Sequence, residues 1–386
     1  MMILKKIVEK LKPTFSKGGK LGMFHSTFEA FESFLFVPET VAKPKGSHIH
    51  DSIDLKRTMS VVIMAVMPAM LFGMWNTGYQ HFLSIGEEVS FIDTFFYGFF
   101  KVLPLIIVSY VVGLAIEFTS AQIRGHEVNE GYLVTGILIP LIMPVDVPLW
   151  ILALAIIFAV IIGKEIFGGT GMNIWNPALL ARAFVFFAYP SKISGDKIWV
   201  AGLENAQNVA DGFSGATPLS FAASNEIDKL PDTMDMFLGI IPGSIGETST
   251  IAILLGAALL IFTGIASWKI MASTVAGALC VGFLANALGG TPYLEIPAWQ
   301  HLIMGGFAFG AVFMATDPVT SAQTETGKWI YGFFIGAIAV IIRLFNPGFP
   351  EGMMMAILLM NTFAPLIDHC IVQANIKKRM KRKSIL

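Results

Sequence analysis

Leu149-Trp150-Ile151-Leu152-Ala153-Leu154-Ala155-Ile156-Ile157-Phe158-Ala159-Val160-Ile161-Ile162-Gly163-Lys164-Glu165-Ile166 is apolar until its last four residues. A helix needs roughly 20 such residues to cross about 30 Å of hydrocarbon, and it closes its own backbone hydrogen bonds while doing so. Working outward from this stretch, comparable runs fall at 58–75, 95–116, 131–143, 177–189, 250–264, 268–289, 299–315, 328–345 and 352–368. The chain is 55% hydrophobic and 14% charged, whereas a typical soluble domain is about 25% charged. It reads as an all-α polytopic membrane protein with ten transmembrane helices. The runs at 131–143 and 177–189 are short and bordered by Gly, Pro or Asn, which predicts broken or re-entrant helices.

The distribution of Lys and Arg sets the orientation. A basic leader, residues 1–57, and a basic tail, residues 370–386, place both termini in the cytoplasm, which requires an even number of spans. Arg124, Lys164, Lys269 and Lys328 then fall inside, while the loops 76–94, 144–148 and 290–298 carry neither Lys nor Arg. The acid-rich segment 190–249 faces outward. It divides the spans into five-helix halves, 58–189 and 250–369, and an odd number per half predicts inverted repeats. Polar, broken stretches at 168–177 and 316–327 are candidate equivalents in the two halves.

The leader begins without the apolar core of a cleavable signal. Ile3, Leu4, Ile7, Val8 and Leu11 keep helical spacing opposite lysines, as expected of a helix docked on the inner membrane surface or on a partner. The pair His48 and His50 is too few ligands for a metal site. Cys280 and Cys370, without CxxC spacing, offer no iron–sulfur site and read as packing residues. No metal is expected, and no nucleic-acid partner.

Four places could carry chemistry. Asp211-Gly212-Phe213-Ser214-Gly215-Ala216-Thr217-Pro218-Leu219 is a hydroxyl-bearing turn that cannot lie in hydrocarbon unpaired. Asp211 and Gly212 set a turn, Gly215 and Ala216 leave room for a bulky group, and Pro218 fixes the chain after Thr217. The spacing alone fits an ordinary Ser/Thr-rich loop as well. Gly168-Gly169-Thr170-Gly171-Met172-Asn173-Ile174-Trp175-Asn176-Pro177 offers amides, a hydroxyl and an indole to a flat heterocycle, or a glycine-rich helix contact. Glu117, Glu165, Asp317 and Asp368 are acids at or inside spans, where ionisable groups cost about 2.5–3.5 kcal/mol and mark ion paths. The alternative is pairing with Lys164, Arg182 or Arg343, which Glu165 favours. Gly113, one turn before Glu117, either opens an apolar slot or packs against a neighbouring helix.

The turn ending in Thr217 resembles the flavinylation motif of the family formed by the B subunit of the sodium-translocating NADH:quinone oxidoreductase and the D subunit of the Rnf complex. Further matching stretches cover nearly the whole chain: His48 to Arg57, Gly125 to Gly131, Lys164 to Gly171, Ile241 to Glu247, Phe313 to Pro318 and Asn346 to Gly352. The long leader favours the sodium pump over its Rnf relative. The resemblance implies FMN joined through its phosphate to Thr217 by a flavin transferase, within a motif containing Asp211, Ser214, Gly215 and Ala216. It also implies a non-covalent riboflavin, carried onto Asn173 and Asn176, and a quinone, for which Gly113 is the candidate position. Sodium uptake falls to Glu117, Asp317 and Asp368. The chain would be one member of a six-subunit complex in a bacterial inner membrane, inactive alone, with the NADH site elsewhere. An Rnf-type subunit and a non-redox channel or transporter are the alternatives.

Overall fold

The computed structural model describes residues 2–15, 19, 22, 28, 55–124, 131–205, 209–210, 213–346 and 348–383. Among them every regular element is a helix. A leader helix α1 (Met2–Phe15) is followed by α2 (Leu55–Ile85), α3 (Phe91–Arg124), α4 (Tyr132–Leu141), α5 (Leu149–Gly163) and α6 (Pro177–Ala188). The acid-rich segment forms α7 (Pro218–Ala223) and α8 (Thr233–Leu238). Then come α9 (Thr250–Phe262), α10 (Trp268–Leu288), α11 (Pro292–Glu295), α12 (Gln300–Ile303), α13 (Phe307–Phe309), α14 (Glu325–Phe345) and α15 (Met353–Lys383).

Each of the ten apolar runs is occupied by helix, although only six helices among the described residues are long and apolar enough to cross a membrane alone. Helices α4, α6 and α9 are apolar but shorter. The run at 299–315 is divided into α12, α13 and a π-turn, Gly310–Met314, closed by the Ala315 amide on the Gly310 carbonyl at 2.7 Å. The long helices overrun the sequence boundaries. With 34 residues, α3 is about 51 Å long at 1.5 Å per residue, more than the hydrocarbon core. Helix α15 carries the basic tail as far as Lys383 as one continuous helix.

Helix α2 continues to Ile85 where the sequence predicts a loop after residue 75. Its last turns bury polar side chains against the acid-rich segment: Asn76 Nδ2 donates to the Ile241 carbonyl at 2.9 Å and His81 Nδ1 lies 2.7 Å from the Ala201 carbonyl oxygen. The acid-rich segment is itself packed. Leu219, Ala222, Met236 and Ile241 form a small core with Tyr293, Ile296, Ile303 and Met304. Within the main bundle, helices approach closely at glycines, with Gly256 of α9 against the Ala65 carbonyl of α2, and Gly277 of α10 against the Phe333 carbonyl of α14. Such small-residue contacts suit helices in lipid, where close packing replaces the hydrophobic drive. Cys280 and Cys370 are both exposed on helix surfaces rather than packed inside.

Candidate functional site

A cavity of about 320 Å³ is lined by residues of the acid-rich segment together with α6 and the turns before α9 and α15. Its size falls at the lower end of the roughly 300–1,000 Å³ typical of small-molecule sites. Thr217 is on its wall. The residue caps α7, with its Oγ1 accepting from the Ser220 amide at 3.2 Å, and Pro218 follows at the first helical position, where a missing N–H costs nothing. Gly215 passes close to the Asp196 carbonyl and the Leu203 side chain, where a Cβ would sit 2.6 Å from each, so the motif glycine is needed for packing as well. Ser214 Oγ accepts from the Ala216 amide at 3.3 Å, which holds the turn. Asp211, like Gly212, lies outside the described residues.

Across the cavity, Arg182 of α6 is buried and holds two carboxylates. Its Nη1 donates to Glu247 at 2.7 Å, its Nη2 donates to Glu351, and Ser244 Oγ is 3.5 Å from Nη2. Burial pushes the Glu247 carboxyl up to about 7; the Glu351 carboxylate adds to that push and Arg182 opposes it. Arg182 Nε and Thr248 Oγ1 have no partner among the described residues, although both residues are at least 95% buried and line the cavity. Trp199, Phe186 and Phe349 supply the apolar wall. A hydroxyl anchor, aromatic surface and orphaned polar atoms together match what a flat, polar-edged ring needs.

A smaller cavity, about 90 Å³, is bordered by Thr170, Asn173, Asn176, Lys164 and Asp317. Asn176 caps α6, with its Oδ1 accepting from the amides of Ala178 and Leu179, while its Nδ2 donates to Asp317 at 3.4 Å. The broken stretches 168–177 and 316–327 therefore meet here. Asn173 Nδ2 donates to the Trp175 carbonyl at 3.1 Å, and the Trp175 indole donates to Thr362 at 2.9 Å, so Asn173 and Trp175 are engaged locally. The donors suit a heterocycle; the space, well under the usual range for ligand sites, does not.

The four acids have partners. Glu117 pairs with Lys164 inside the bundle, 5% and 3% exposed respectively. Glu165 accepts from Ser120 at 2.5 Å and lies 3.7 Å from Arg124. Asp317 accepts from the Val319 amide at 3.1 Å and the Thr320 hydroxyl at 3.0 Å. Asp368 accepts from the amides of Gln323 and Thr324, at 2.7 and 2.9 Å, and from the Thr324 hydroxyl at 2.6 Å. Asp317 and Asp368 thus tie down the two ends of one loop. Lys164 brings Glu117 to the same cavity as Asp317 and the two asparagines, whereas Asp368 stands behind the loop. Gly113 receives the ring of Tyr132: a Cβ there would overlap the Tyr132 Cζ and hydroxyl. Among the described residues no cluster of three or more His, Cys, Asp or Glu is arranged to hold a metal.

Sequence reading did not assemble the Arg182–Glu247–Glu351 cluster, whose members lie up to 169 residues apart. The available signal was Arg182 itself, the one charge in the run 177–189.

The description NQR2, RnfD, RnfE family belongs to the family model that matches residues 43–377. The chain is 47% identical to the B subunit of the Na(+)-translocating NADH-quinone reductase of Ectopseudomonas mendocina, over 99% of this chain and 100% of that protein. It is also 47% identical to the corresponding B subunit of Chromohalobacter salexigens, over 99% and 97%, and 45% identical to that of Azotobacter vinelandii, over 99% and 100%. With this extent and level of identity, the chain belongs to the NQR2, RnfD, RnfE family.

Proposed function

We propose that the chain is the B subunit of a sodium-translocating NADH:quinone reductase, a membrane translocase component that is inactive alone and carries FMN on Thr217. The observation that carries this reading is the position of Thr217 on a 320 Å³ cavity that also has aromatic walls and two orphaned polar atoms. The phosphoester would form by attack of the Thr217 oxygen on the diphosphate of a flavin dinucleotide, whose P–O–P bond breaks to release a nucleoside monophosphate that carries off the hydroxyl proton, and Asp211, Ser214, Gly215 and Ala216 form the turn a flavin transferase would recognise. When bound, the flavin supplies the electron-transfer chemistry; the chain holds and tunes it. Thr217 anchors, the wall of Trp199, Phe186 and Phe349 excludes water, and the tether prevents loss to the outside.

Ten spans in two inverted five-helix halves are the topology we favour, with both termini in the cytoplasm of a bacterial inner membrane. Support comes from the meeting of the two broken stretches at Asn176 and Asp317. The relatives from the sodium-translocating reductase match 99% of this chain, leader included, which favours the sodium pump over an Rnf-type subunit. Sodium would pass the cytoplasmic cavity, where Glu117, Asp317 and, behind the loop, Asp368 supply hard oxygen ligands. A riboflavin at Asn173 and Asn176 requires that cavity to be wider than about 90 Å³, so we assign it no step. Gly113 stays the candidate for the quinone approach, on the helix that carries Glu117. The other subunits supply the NADH site.

The test is in-gel flavin fluorescence of the denatured protein co-expressed with its transferase. The wild type gives a band and Thr217→Ala gives none; a dark wild-type band refutes the reading.

A further inference from the structure

The cluster opposite Thr217 has an unequal count of charges. Arg182, Glu247 and Glu351 come from three separate parts of the chain, α6 and the turns before α9 and α15, and meet with exposures of only 3%, 8% and 13%. Two carboxylates share one guanidinium, so with all three ionised the group is anionic. The Oε1 atoms of Glu247 and Glu351 converge on Gly306, where a Cβ would lie 2.5 Å from either, and only glycine admits them both.

A second buried cation, Arg343, does not balance the excess directly. It donates to the carbonyls of Glu351 at 2.9 Å, Met304 at 2.9 Å and His301 at 2.5 Å, and among the described residues no carboxylate oxygen is bonded to it. On the cavity's other side, Asp196 accepts from the Ser220 hydroxyl at 2.7 Å and adds to the negative field. Beside the cluster, Arg182 Nε and Thr248 Oγ1 are buried without partners among the described residues. Buried polar groups are nearly always satisfied, so orphans along a cavity wall call for a ligand.

We propose that Arg182 Nε and Thr248 Oγ1 hydrogen-bond the polar edge of the redox heterocycle carried by Thr217, and that the surplus carboxylate beside them holds its reduction potential down. The inference rests on the Thr217 reading above. A pyrimidinedione edge, with two carbonyl oxygens flanking an N–H, suits this pair, since an Arg N–H only donates while a Thr hydroxyl both donates and accepts. Reduction adds negative charge to the ring, and a nearby unbalanced carboxylate in a water-poor site opposes that addition more strongly than it would in solvent. Arg182 and Thr248 are binding residues; Glu247 and Glu351 act on the ring through Arg182 and through their charge.

The test is a redox titration at pH 8 of the assembled complex, following the covalent flavin, with in-gel fluorescence of the same samples. Glu247→Gln and Glu351→Gln should each raise its midpoint potential while the fluorescent band persists. Thr248→Val, nearly isosteric, should shift the flavin's visible absorption, and Thr248→Ser should restore it. Bright bands with wild-type potentials and spectra in all these variants overturn this inference and leave the Thr217 reading standing; a dark wild-type band strikes that reading instead. If the Gln variants do not assemble, Thr248→Val decides alone: a wild-type spectrum rejects the inference.

Discussion

Lys164→Met gives the sharpest test of where sodium enters. Glu117 and Lys164 are paired at 5% and 3% exposure, so each neutralises the other in a poorly solvated place. Removing one partner of such a pair costs about 3–5 kcal/mol, because the remaining charge stays buried. That is about two to four powers of ten in the folding equilibrium. If Glu117 is a sodium ligand, the ion can take the position vacated by the ammonium group. At 100 times its dissociation constant, a ligand specific to the folded state returns about 2.7 kcal/mol. The assay heats the solubilised complex in sodium chloride or in choline chloride of equal ionic strength and measures how much of this protein stays soluble. Lys164→Met should fail at a markedly lower temperature in choline and recover most of the loss in sodium. Glu117→Gln combined with Lys164→Met should lose the sodium response. Equal instability of Lys164→Met in the two salts would refute Glu117 as a sodium ligand, and wild-type stability in both would refute the buried pair itself.

Gly113→Ala forces a methyl into the Tyr132 ring, and overpacking of this kind costs about 1–3 kcal/mol; heat stability should fall, and Tyr132→Leu in the same chain should restore part of it. Asp368→Ala removes three hydrogen bonds that hold Gln323 and Thr324, each worth about 1.5–3 kcal/mol when the acceptor is charged, so limited proteolysis should cut near residues 318–324 where the wild type resists. The raised Glu247 carboxyl has a defined sign: the folded state binds its proton more tightly, so the stability it contributes is full below pH 4.5 and declines as pH rises to about 7. Heat stability of the wild type relative to Glu247→Gln should therefore fall across that window, and a rise would contradict it.

Six of the expected spans were legible because hydrocarbon imposes one demand, a long apolar helix, which the stretch Leu149–Phe167 meets. The start of α6 at Pro177 was legible too, but Asn176, read in the sequence as a cofactor contact, is engaged in capping that helix. The ends of α2 and α15 were not legible. Asn76, Gln80 and Ser84 look like loop residues, yet they are helical and buried, with Asn76 bonded to the acid-rich segment at the Ile241 carbonyl. The same limit applies to the sites. The turn around Thr217 could be read locally, but its cavity depends on α6 and on turns as far along the chain as Glu351. Pairing for the acids was open in the sequence; Lys164 took Glu117, a choice 47 residues apart that no periodicity encodes.

The π-turn at Gly310–Met314 has a consequence for evolution. Such a turn amounts to one residue added to an α-helix, so it can be gained or lost by a single codon. Each residue turns a helix by about 100°, because 3.6 residues complete a circle. A one-residue deletion within Gly310–Met314 would thus swing Thr316 and Asp317 about a quarter-turn from Asn176. An apolar run would remain that no longer delivers its acid to the cavity. An aligned gap at that place would mark a lost Asn176–Asp317 contact rather than a loss of fold.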